Sequence, residues 1–417
     1  MLRLSTAAVH VSRLLLCGAA GLLALAGSLW SLVLGYSDLE FRRGNAADVA
    51  LALRAAPMDA GYLAQWSLLT GNPEESIRSL EKAVSYNPYY SWAWIQLGLA
   101  AEADGRNDLA ERDLWQAASV DRGFAPRWAL CDFFFRRRNT ERFWYWSKQA
   151  LDIDDAESGP VFRLDWRMDP DARIILDRGI PPNKTARRKF LKFLTEARPA
   201  GGVFAVVSDL LPAAERDDIP SLISYTSKLL EEHDVKQALS LWNSLCERRF
   251  LPFRPVLPDS ANILTNADFS TFPSGNVFDW QFLVADGITS EKEASSREFR
   301  IRLSGRQPEH CRILSQRVAV EPGRRYEFYF HVRAIGAAPA GGLRWKILEQ
   351  SVSDRALAES PDLAMSDSSD RALTFSSDEP LVTLALDYDR PRGATRLTAV
   401  VAIDQLSLRS PAAPGNR

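Results

Sequence analysis

The chain has 417 residues, more than one ordinary core accommodates, so two or three domains are expected. Its composition, 46% hydrophobic and 25% charged, excludes an intrinsically disordered polymer. A net charge of −2 gives no global field for nucleic acid or an acidic membrane surface, and no nucleic-acid partner is expected.

The first predicted element is a membrane-spanning helix. Leu14 to Leu34 contains no charged residue and would extend about 30 Å as a helix, one hydrocarbon core. Arg3 and Arg13 precede it and favour a cytoplasmic N-terminus, with the bulk of the chain extracytoplasmic, as in a periplasm. Residues 1–35 are therefore read as a cytoplasmic stub and transmembrane helix. The alternative is a cleaved signal with Ala24-Leu25-Ala26 at its cleavage site, although apolar residues continue through Leu34. Cys17 follows Leu16, where a lipoprotein signal needs a small residue. The other cysteines are Cys131, Cys246 and Cys311, none in a CxxC pair, which supports neither a disulfide framework nor zinc.

Residues 36–256 read as helical. An amphipathic helix over 36–56 leads to Pro57. From there the sequence repeats at an offset of 34: Leu63 recurs as Leu97, Ala64 as Gly98, Ser76 as Ala110, Leu80 as Leu114 and Ala83 as Ala117. The clearest repeats are 57–90 and 91–124, each two short helices around a turn at Gly71-Asn72 or Gly105-Arg106-Asn107. Trp94, Leu97, Gly98, Ala110 and Ala117 stand at tetratricopeptide-repeat spacing, and the segment resembles that family closely. The resemblance implies a solenoid that holds a protein partner. A third repeat near 125–158 is degenerate: Trp128 and Leu151 fit, whereas Trp144 sits where a small residue belongs.

Trp144, Tyr145 and Trp146 are partner-binding candidates, with end-of-solenoid packing as the alternative. Arg136-Arg137-Arg138 and Arg187-Arg188-Lys189 read as solvated faces, or as contacts for an anionic lipid or polysaccharide. The Asn183-Lys184-Thr185 triplet fits the glycosylation sequon but is discounted. Beyond Pro160 the repeat fades. Helices are expected over Lys189–Ala197, Leu222–Glu232 and Val235–Glu247, the last two separated by His233-Asp234. The proline-rich run from Leu251 to Pro258 reads as a linker.

From Asn262 the period becomes 2. Phe299, Ile301 and Leu303 alternate with arginines; Tyr326, Phe328 and Phe330 follow, then Leu343, Trp345 and Ile347, then Leu384, Leu386 and Tyr388. Residues 257–411 are expected to form an antiparallel β-sandwich or jelly roll, with 412–417 as a tail. Three stretches, Asn262–Phe269 with Trp280 downstream, Leu314–Tyr326 and Ile403–Leu408, resemble carbohydrate-binding modules of the galactose-binding-like jelly-roll superfamily. That resemblance implies a glycan ligand and a structural calcium whose oxygens match Asp268 and Asp404. Ser270 stands where a relative commonly has glutamate, which weakens the calcium site. The glycan-binding candidates are Tyr388, with Asp387, Asp389 and Arg390 beside it, and Trp280. Trp280 and Trp345 also share faces with apolar neighbours and read as core; Tyr388 is expected to be the least buried.

No catalytic constellation is present. His10, His233, His310 and His331 make no ligand pattern, and the paired acids Asp154-Asp155 and Asp217-Asp218 fall in predicted loops. The expectation is a non-enzymatic, membrane-tethered adaptor of cell-surface or exopolysaccharide assembly, its repeats for protein and its sandwich for glycan. The alternative is a scaffold whose sandwich binds no glycan.

Overall fold

The computed structural model describes residues 6–153, 157–197, 203–257, 260–291, 297–335, 341–349, 355–363 and 369–411. Arg3, Asp154, Asp155 and Pro258 lie outside the described residues. The chain forms two compact units divided between Phe190 and Leu191. Helices fill the first, and helices followed by two antiparallel sheets fill the second.

α1 (Thr6–Arg43) is unbroken and apolar over Leu16–Leu39, long and apolar enough to be a membrane span or a signal sequence. It stops at Gly44, whose φ of 75° lies in the left-handed region that L-residues rarely adopt. Asn45 then caps α2 (Ala46–Ala55) by accepting the Asp48 N–H. The expected helix over 36–56 is thus two helices.

The repeats fold as helix pairs. α3 (Ala60–Leu69) and α4 (Pro73–Tyr86) form the first, with Asn72 as the cap and Pro73 at the first helical position. α5 (Ser91–Ala103) and α6 (Asn107–Val120) form the second, and α7 (Phe124–Arg136) and α8 (Thr140–Leu151) the third. The small residues are needed where helices touch. A Cβ on Gly98 would lie 2.7 Å from Leu114 Cγ and 3.2 Å from the Ala110 carbonyl oxygen. Consecutive pairs are joined by ion pairs across the array, Arg136 to Glu102 and Arg142 to Glu111. α9 (Ser158–Met168) and α10 (Ala172–Arg178) follow, and α11 (Lys184–Ala197) crosses the division between units.

In the second unit, α12 (Phe204–Leu210) precedes the hairpin of α13 (Ile219–Glu231) and α14 (Val235–Glu247). His233, at φ 64°, makes the expected break. The proline-rich run is no free linker. Asn243 on α14 donates to the Val256 carbonyl and accepts its N–H, both at 2.8 Å. Phe253 stacks on Trp242 at 5.7 Å, and Phe278 meets the same indole edge-on at 5.7 Å. Prolines extend this segment, while its apolar residues hold it against α14.

Among the described residues ten strands follow: β1 (Gln281–Phe282), β2 (Ile288–Glu291), β3 (Phe299–Ser304), β4 (His310–Ala319), β5 (Arg325–Ile335), β6 (Leu343–Glu349), β7 (Ala356–Glu359), β8 (Ser369–Ser376), β9 (Leu381–Asp389) and β10 (Thr398–Arg409). They form two five-stranded sheets, ordered β1-β4-β9-β6-β7 and β2-β3-β10-β5-β8. Their inner faces enclose an aromatic core in which Trp345 meets Trp280 at 6.0 Å and Phe328 at 5.1 Å.

Candidate functional site

In the sandwich, β9 is the central strand of its sheet, so one face of it is sealed by the opposing sheet. Register pairs Leu384 with Gln316 and Ile347, Leu386 with Leu314 and Trp345, and Tyr388 with Leu343. These are inner-face positions. Tyr388 is therefore fully buried, and its phenol oxygen accepts the Leu397 N–H at 3.0 Å. The expectation that Tyr388 is the least buried ring does not hold. Trp280 is fully buried too, as is Trp345. Neither Tyr388 nor Trp280 offers a ring to a sugar.

Asp387 and Asp389 point to the opposite face because side chains alternate along a strand. There they are already engaged. Asp387 binds Arg312 at 3.2 Å and Lys346 at 3.6 Å; Asp389 binds Lys346 at 2.7 Å and His310 at 3.0 Å. Arg390 pairs with Glu309 at 3.1 Å. Partial burial disfavours charge on Asp389, but Lys346 and His310 outweigh it and hold the carboxyl below its ordinary range. Sequence reasoning missed the partners that already occupy these charges: Lys346, Arg312 and His310 on the two acids and Glu309 on Arg390.

The stretches that carry the jelly-roll resemblance are structural clamps. Asn262 donates to the Leu406 carbonyl and accepts the Leu408 N–H, fixing the opening segment to β10. Gln316 donates to the Thr265 and Phe278 carbonyls. Asp279 receives both the N–H and the hydroxyl of Ser274, and burial raises its pKa despite those bonds. Asp268 accepts the Ser270 N–H at 3.1 Å, and Asp404 faces the ring of His331. Among the described residues, no three of His, Cys, Asp and Glu gather into a metal-binding group. Asp268 also shares a cavity with Arg254 and Arg297. This donor set does not fit calcium, which needs six to eight oxygens and disfavours nearby cations.

In the solenoid, Trp144 and Trp146 are buried while Tyr145 is 53% exposed. Of the three aromatic candidates, only Tyr145 faces solvent. Trp144 occupies the small-residue position because Gly179 supplies the space: a Cβ there would lie 3.0 Å from the indole. Trp146 packs edge-on against the half-exposed Trp115 at 4.9 Å.

Among the described residues, two grooves of the array correspond to each other. One, of about 550 Å³, lies over α3 and beside α4; the other, of about 260 Å³, lies over α5 and beside α6. Their linings correspond at the 34-residue offset: Leu63 and Leu97, Trp66 and Ala100, Arg78 and Arg112, Ser79 and Asp113. Ser79 satisfies itself by donating to the Leu63 carbonyl. Asp113 instead is desolvated, which raises its pKa against the pull of Arg112.

No family model matches this chain, and no curated protein matches it. Among solved structures it is similar to one reported as "CBM4 structure and function", at 13% identity over 36% of this chain and 99% of that one, with a TM-score of 0.29. It is also similar to MamA, a tetratricopeptide-repeat protein, at 15% identity over 36% and 95%, with a TM-score of 0.26. A third is the N-terminal cellulose-binding domain from Cellulomonas fimi β-1,4-glucanase C, at 15% identity over 32% and 90%, with a TM-score of 0.24. At these scores the likenesses carry no argument about function.

Proposed function

We propose that this chain is a membrane-attached, non-enzymatic adaptor that holds an extended segment of a protein partner along its helical repeats. The observation that carries this reading is the recurrence of one groove at equivalent positions of successive repeats. Each groove has an apolar floor (Leu63 or Leu97) and a charged rim (Arg78 or Arg112). A groove that repeats with the fold can read successive side chains of one extended ligand. The bulk of the chain would work outside the cytoplasm.

For the sandwich, the burial of Tyr388 and Trp280 counts against sugar stacking on either ring. The test is site-specific photo-crosslinking in intact cells, with the probe at Lys82 in the first groove or at Trp115 outside both. One discrete adduct from Lys82, absent from Trp115 and lost in Arg78→Glu, is expected. Equal labelling at both positions would count against groove recognition.

A further inference from the structure

Where the proline-rich strap meets the opening segment of the sandwich, a cavity of about 470 Å³ lies outside both sheet faces. The strap supplies Phe253, Arg254 and Pro255; the sandwich supplies Thr265, Asp268 and Arg297. The chemistry of these groups is mixed in a specific way. Arg254 and Arg297 are exposed, and among the described residues neither has an ion-pair partner. Asp268 uses one carboxylate oxygen on the Ser270 N–H. The Phe253 ring is fixed by stacking on Trp242, so that wall is rigid.

We propose that this cavity binds a uronic acid residue of an acidic saccharide. Two guanidinium groups suit a carboxylate, because each presents parallel N–H donors in a fixed fork. The free oxygen of Asp268 accepts from a sugar hydroxyl. The apolar walls at Phe253 and Pro255 cover the C–H face of the pyranose ring. A neutral sugar leaves both arginines unpaired, and a bare phosphate leaves Asp268 repelled and the walls empty. The volume lies within the range of sites that enclose a small ligand. This site needs no exposed aromatic platform, and it is independent of the repeat grooves.

The experiment is calorimetry on the full chain in detergent, titrated separately with a galacturonate trisaccharide, a neutral glucose trisaccharide, inorganic phosphate and an aspartate-rich peptide. Binding of the galacturonate trisaccharide alone is expected, weakened at least tenfold by Arg254→Gln and by Arg297→Gln. Asp268→Asn should weaken it by a smaller factor. All three residues are exposed, so unfolding midpoints should stay unchanged and exclude misfolding as the cause. Equal binding of phosphate, a preference for the acidic peptide, equal binding of the neutral sugar, or no binding at all would each overturn the proposal.

Discussion

Asp165 on α9 is the most unusual side chain of the helical array. It is fully buried, its Oδ1 accepts the Ser147 hydroxyl at 2.7 Å, and among the described residues its Oδ2 has no hydrogen-bond partner. Burial pushes its carboxyl up to about 8, against the pull of Ser147. Between the ordinary carboxylate range and about 8, the folded chain therefore holds a proton that the unfolded chain has lost. Stability falls as pH rises through that window, by up to about 1.4 kcal/mol per pH unit from this group, and levels off above it. Asp165→Asn keeps an acceptor for Ser147 and removes the charge. The variant should gain on the native protein in urea-unfolding midpoint as pH goes from 5 to 8; parallel curves would refute the assignment. Tyr388 teaches a related lesson. Its sequence neighbours are acidic and basic, which suggested a wet site, but successive strand residues face opposite ways. The spacing it shares with Leu384 and Leu386 was the better guide, and it pointed to the core.

At the level of elements, the 34-residue period and the period-2 runs were legible because they record which face each helix or strand buries. The helix pairs at Gly71 and Gly105 and the strands around Ile301, Phe328, Trp345 and Leu386 follow from them. The role of the Leu251–Pro258 run was not legible. Proline content reports an extended backbone, and Phe253 and Val256 decide whether that backbone is free or fastened. Here it is fastened, so α13–α14 is part of the second unit. Nearby, burial lowers the pKa of Arg317 on β4, while the charge of Glu231 on α13 opposes the shift. Residues 259–411 alone should consequently be less stable than residues 203–411, since removing Trp242 uncovers Phe278. Chemical denaturation of the two fragments checks this; equal midpoints would show that the hairpin contributes nothing to the sandwich.

For the whole molecule, the apolar helix α1 leads into the array after a single helix break at Gly44. Full-length protein should sediment with membranes and resist carbonate extraction. A soluble product beginning at Gly27 would identify a cleaved signal instead. The array it carries has one joint unlike the others. At Gly98 the small partner of a tight contact belongs to a recurring position, so helix pairs built on that pattern are interchangeable in principle. At Trp144 the bulk and the hollow have changed sides, with Gly179 yielding space to the indole and Arg178 lying over it. A standard pair spliced in at this joint would bring alanine opposite Gly179 and leave a void costing about 3–5 kcal/mol. Duplication can lengthen the array ahead of this point, whereas a join across it carries that void, so the tryptophan and glycine mark where the interchangeable pairs end.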